Sequence, residues 1–258
     1  MWKRKVTINE QYGTLCLFLR GDLAPAEAAY AFVLPPAKAA DTKATPGSLA
    51  PYWDADWAAW HVRLGMCVAD AAPAGVKTAA VYPAAPSAAT LDEIRRQPTG
   101  GVRIDAEAGS FTLDTPRTAG GFAEGGVVAA GPFRADLGTV PATVWASSVD
   151  AEKTDLRHAK RILVTHLTDV QADGNVYADE TKTVLLKWGK APPVARRGKA
   201  QVRLAHAAPA SLDVWALDTS GARRARVPAR VEGDRLVFTA EIAPPSAVLH
   251  YEVAVRAH

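Results

Sequence analysis

From about Val102 to the end of the chain, apolar and polar positions alternate in short runs. Val102-Arg103-Ile104-Asp105 and Ser110-Phe111-Thr112-Leu113-Asp114 alternate around an Ala-Gly turn and predict a hairpin. Further strands are expected over Thr143–Ser148, Arg161–Leu167, Thr183–Trp188, Ala200–Leu204, Leu212–Leu217, Arg235–Thr239 and Val248–Val255. Runs of this length with turn signals every dozen residues or so predict antiparallel β-sandwich units. No helical segments of ten to fifteen residues separate these strands, which excludes an α/β barrel for this part of the chain.

The first hundred residues read differently. Tyr12–Leu19 is an apolar run that suits either a strand or a buried helical turn. A short helix is expected over Ala24–Ala29 and a strand over Tyr30–Leu34. Pro35–Pro51 and Ala71–Ala89 are rich in Pro, Ala, Gly and Thr and predict loops. Thr90–Arg96 predicts one helical turn, with Thr90 as cap and Glu93 closing the box. The fold class is therefore mainly β, with a mixed, loop-rich N-terminal segment. The expected domains are a mixed segment over 1–89, a β-sandwich over 90–193 and a small β domain over 194–258, divided at Pro192-Pro193.

Composition narrows the classes of function. The 258 residues carry a net charge of +3, with 30 basic residues scattered among 27 acidic ones, so no nucleic-acid footprint is present. No apolar run approaches the ~18 residues of a membrane helix. Met1-Trp2-Lys3-Arg4-Lys5 is basic, but Thr7–Gln11 is polar where a signal peptide needs its apolar stretch, so no export signal is expected. Cys16 and Cys67 leave two alternatives, one bridge or two separately buried thiols.

Motifs that carry chemistry are scarce. No nucleophile elbow, His-Glu-x-x-His, phosphate-binding loop or dinucleotide fingerprint occurs, and the six histidines have no metal-ligand spacing. Gly120-Gly121 and Gly125-Gly126 read as hairpin or bulge glycines. Asp169, Gln171, Asp173, Gly174 and Glu180 fall at positions of a calcium-loop template, making Asp169, Asp173 and Glu180 candidate ligands. The alternative is a long hairpin loop, since the flanking segments read as strands rather than helices. Trp53, Trp57 and Trp60 stand at i, i+4 and i+7 and would share one helical face. That stripe is either a platform for the apolar face of a sugar or the buried side of a short amphipathic helix. Trp145, Trp188 and Trp215 lie in strand patterns and are expected in the core. Arg20-Gly21-Asp22 spells a cell-adhesion tripeptide but reads as a turn.

Several runs together resemble a known family. These are Phe111–Thr118, Val144–Asp150, Arg161–Gln171, Leu185–Lys190, Val214–Asp218 and Leu249–Glu252. They are similar to the non-catalytic β-sandwich region that follows the (β/α)8 barrel in large multidomain bacterial glycoside hydrolases. Leu17–Asp22 resembles the segment where such proteins leave the barrel, and Trp60–Gly65 the next element along. Thr118-Ala119 departs from the Thr-Gln of that pattern. The resemblance implies an accessory, non-enzymatic role beside an upstream barrel that supplies both catalytic glutamates. It also implies a polysaccharide as partner and a secreted or periplasmic parent enzyme. The alternative is a free-standing carbohydrate-binding module or surface-interaction protein.

Overall fold

The computed structural model describes residues 20–23, 25–39, 58, 61–105, 107–180, 182–244 and 246–256. The chain is mainly β and divides into two compact units, one of Met1–Asp22 with Arg103–His258 and one of Leu23–Val102.

The smaller unit is built on a three-stranded parallel sheet. Strands β1 (Ala29–Leu34), β2 (Arg63–Val68) and β3 (Lys77–Val81) take the order β2-β1-β3. Central β1 is a continuous apolar run, as a parallel strand covered on both faces requires. A short helix α1 (Pro36–Ala39) follows β1, and α2 (Ala88–Arg95) follows β3. Tyr30, Phe32, Ala79, Ala80 and Ile94 form the unit's core.

Several local expectations change here. Residues 25–28 are irregular rather than helical, and β3 runs through the stretch expected to be a loop. Helix α2 is capped by Ser87, whose hydroxyl accepts from the Thr90 N–H at 3.1 Å, so the helix starts earlier than the Thr90 cap implied. Glu93 does not close a capping box; it pairs with Lys77 of β3.

The larger unit is a two-sheet sandwich. Its first strands are β4 (Val102–Asp105), β5 (Ser110–Asp114), β6 (Thr118–Ala123), β7 (Val127–Ala130), β8 (Phe133–Asp136), β9 (Ala142–Ser148) and β10 (Arg161–Leu167). An excursion follows with β11 (Val170–Asp173), β12 (Val176–Tyr177), β13 (Leu185–Lys187) and β14 (Lys190–Ala195). The chain then forms β15 (Gly198–Ala205), β16 (Leu212–Leu217), β17 (Arg223–Val227), β18 (Ala229–Glu232), β19 (Arg235–Ala243), β20 (Ser246–Ala247) and β21 (His250–Val255). One sheet has the order β17-β16-β21-β10-β9-β6-β5-β4, and the other β18-β19-β15-β8-β7 with β20 beside β19.

Alternation decides which side chains meet between the sheets. Val144, Ile162, Val164, Val214 and Val253 of the first sheet face Phe133, Val202, Leu204, Leu236 and Phe238 of the second in one continuous core. Tyr251 enters this core against Phe238, with ring centroids 5.8 Å apart. Its hydroxyl donates to the Glu241 carbonyl at 3.0 Å and accepts from the Glu241 N–H at 2.6 Å. Burial pushes this phenol up to about 12.

The segment 194–258 is not a separate domain. Strand β15 pairs with β8, and β21 pairs with β10, so the C-terminal strands complete both sheets begun earlier. Pro192-Pro193 lies within β14, on a two-stranded ribbon, where a missing N–H is tolerated at an edge. Gly120 and Gly121 likewise sit inside β6 rather than in a hairpin turn. A Cβ at Gly120 (φ +149°) would lie 2.3 Å from Trp145 Cα, and one at Gly121 2.0 Å from the Phe111 carbonyl. These glycines allow β5 and β9 to approach on either side. Gly125 and Gly126 do lie in the connection between β6 and β7.

Candidate functional site

Two features of the larger unit offer contact surfaces. The first is the excursion between β10 and β15, which leaves one sheet and returns in the other. Its base is closed by the Arg196 N–H to the Asp169 carbonyl at 2.7 Å and by the Thr168 hydroxyl to the Arg196 carbonyl at 2.5 Å. Two short antiparallel ribbons follow, β11 with β14 and β12 with β13. Farther out, the Asn175 side-chain oxygen accepts from the Gly189 N–H at 2.8 Å, and its amide donates to the Tyr177 hydroxyl at 3.1 Å. A Cβ at Gly189 would meet the Asp173 carbonyl at 2.1 Å, so the two backbones are in direct contact there.

This pinned backbone presents apolar side chains to solvent. Val184, Leu186 and Trp188 are 53%, 65% and 70% exposed; Leu186 lies in β13, and the other two flank its ends. Trp188 is thus an exposed arm residue rather than a core residue. Trp145 and Trp215 are half-buried on the outer side of the eight-stranded sheet, also outside the core between the sheets. The Arg223 guanidinium lies 5.2 Å from the centre of the Trp215 ring and pairs with the buried Glu252, as does Arg161. Burial alone would raise the Glu252 carboxyl, but hydrogen bonds from the two arginines hold it below the usual carboxylate range.

The calcium candidates lie on this arm and do not converge. The Asp169 carboxylate accepts from Lys182 at 2.8 Å and from the Gln171 amide, while Asp173 belongs to β11 and Glu180 is exposed. Among the described residues, no group of three His, Cys, Asp or Glu side chains could hold a metal ion. The template spacing falls on two short antiparallel ribbons instead of a loop between two helices.

The second feature is a groove of about 690 Å³ on the outer face of the six-stranded sheet. Asp136 of β8, Gln201 of β15 and Thr239 of β19 stand in one cross-strand row along it. Lys199 and Glu241, paired at 3.0 Å, form part of its wall, and Arg197 from the base of the arm adds a further cation.

Arg20-Gly21-Asp22 makes a turn, with Gly21 at φ +62°, and is closed onto the sheet rather than presented. The Asp22 side chain is 2% exposed. It pairs with Arg20, accepts from the Thr118 hydroxyl at 3.1 Å and lies 3.7 Å from the Arg117 guanidinium. Arg20 also donates to Ser147 and to the Ser148 carbonyl. Nothing in the sequence between 23 and 116 signals this long-range pairing. The His250 ring is packed, 3.2 Å from the Thr165 hydroxyl. Cys67 carries a free, half-exposed thiol on β2. Trp53, Trp57, Trp60 and Cys16 lie outside the described residues.

Comparisons of the chain with protein-family models, with curated proteins and with solved structures found no match.

Proposed function

We propose that this chain is an accessory β-sandwich region of a polysaccharide-degrading glycoside hydrolase, structural and carbohydrate-contacting, without a catalytic pair of its own. The observation that carries the reading is the exposure of Val184, Leu186 and Trp188 close together in sequence on a braced arm. Covering a side chain of this kind is worth about 1.5–3 kcal/mol, so leaving three together in water marks a surface that a partner covers. Trp combines a large apolar face with few rotatable bonds, which suits both a sugar ring and a neighbouring domain. The runs quoted for the resemblance include the Leu185–Lys190 segment that bears Leu186 and Trp188. That overlap supports reading the resemblance and the exposed side chains together.

Affinity electrophoresis of the chain through gels containing xylan, laminarin, mannan, cellulose derivative or agarose tests the reading, together with a reducing-sugar assay on the same polysaccharides. Retardation in at least one gel without release of reducing ends is expected, and Trp188→Ala should weaken it with no change in melting temperature. Release of reducing sugar, or migration unaffected by every polysaccharide, overturns the proposal.

A further inference from the structure

We infer that the groove on the outer face of the six-stranded sheet binds a neutral oligosaccharide through Asp136, Gln201 and Thr239. The inference rests on the proposed reading for its class of partner but assigns a second surface, distinct from the arm.

The three residues are direct cross-strand neighbours, with Gln201 opposite Asp136 on one side and Thr239 on the other. Neighbouring strands are about 4.8 Å apart, so the row spans roughly 10 Å along the groove. Its hydrogen-bonding capacity is already sorted. The Gln201 side-chain oxygen accepts from Arg203 at 2.7 Å, which leaves its amide N–H groups as donors. One Asp136 oxygen accepts from the Gly138 N–H at 3.0 Å, which leaves the other as an acceptor. The Thr239 hydroxyl, exposed beside them, can do both. A donor, an acceptor and a hydroxyl in sequence match a chain whose own groups are hydroxyls.

Charge selects among hydroxylated ligands. Asp136 and Glu241 are balanced by Arg197 and Lys199, with Lys199 and Glu241 already paired, and Arg203 beside Gln201 is balanced by Glu232 at 3.8 Å. An anionic polymer therefore meets no net attraction, and a neutral one meets no penalty. Val140, half-buried at the edge of the lining, adds apolar surface against which the C–H face of a sugar ring can rest. The volume of about 690 Å³ falls within the range of small-molecule sites.

Isothermal titration of the wild-type chain with neutral hexasaccharides (xylo-, cello-, laminari- and mannohexaose) tests the site. Gln201→Ala/Thr239→Ala alters two outward-facing side chains and should leave the melting temperature unchanged. At least one hexasaccharide is expected to bind, with Kd raised at least tenfold in the double variant and less than twofold in Trp188→Ala. Equal binding by the double variant overturns the groove while leaving the accessory reading intact. Absence of binding to any hexasaccharide overturns the groove, and the accessory reading then stands or falls separately on the polysaccharide gels.

Discussion

His166 is the penultimate residue of β10, just before the chain leaves for the arm; it is 1% exposed, and its Nδ1 has no hydrogen-bond partner among the described residues. A Cβ added to Gly198, the first residue after the arm, would lie 3.8 Å from its Cε1. Burial pushes the imidazole down from 6.5 to about 4, against which a hydrogen bond with the Ala240 backbone acts weakly. The unfolded chain therefore binds a proton at a pH where the folded one does not. Stability is fully present above pH 6.5 and is lost as the pH falls from 6.5 toward 4. For pKa values of 6.5 and about 4, the loss is about 2 kcal/mol at pH 5 and about 3 kcal/mol once both states are protonated. Urea unfolding of the wild type and His166→Leu at pH 7.5 and pH 5.0 measures it. The leucine variant keeps an apolar side chain in the site and removes the titration, so it should lose about 2 kcal/mol less than the wild type between the two pH values. His250, whose pKa burial also lowers, titrates in both proteins and cancels from the difference. Equal losses in the two proteins would refute the assignment of acid sensitivity to His166.

Two further substitutions probe the frame around the contact surfaces. Asp22→Ala leaves the guanidinium groups of Arg20 and Arg117 largely buried without their carboxylate and should cost about 3 kcal/mol, read from the urea midpoint at pH 7; a loss below 1 kcal/mol would show that the pair does not hold the 20–22 turn. Gly120→Ala forces a Cβ to within 2.3 Å of the Trp145 backbone at a positive φ and should lower the melting temperature by well over 5 °C or prevent folding. A variant with the wild-type melting temperature would mean that β6 and β9 can separate at no cost.

The two kinds of information divide at the range of the interactions involved. Alternation along Arg161–Leu167, Leu212–Leu217 and Arg235–Thr239 was enough to predict strands and a sandwich, because a half-buried strand writes its burial into every second residue. The same alternation is silent on which strands pair. It did not reveal that β21 joins β10 across more than eighty residues, so Pro192-Pro193 looked like a domain boundary. The Gly120-Gly121 pair was legible as special, but its role depends on two neighbouring backbones that only the sheet brings close.

The candidate surfaces divide in the same way. Trp188, in an apolar strand-like run, carried the local signature of a core residue, yet on the arm it is 70% exposed. The polar row of Asp136, Gln201 and Thr239 comes from three segments with no shared motif and exists only through cross-strand register. Local hydrophobic period determined that the larger unit is a β-sandwich. Non-local strand pairing decided which of its side chains face solvent, because burial is a property of the partner surface and not of the residue.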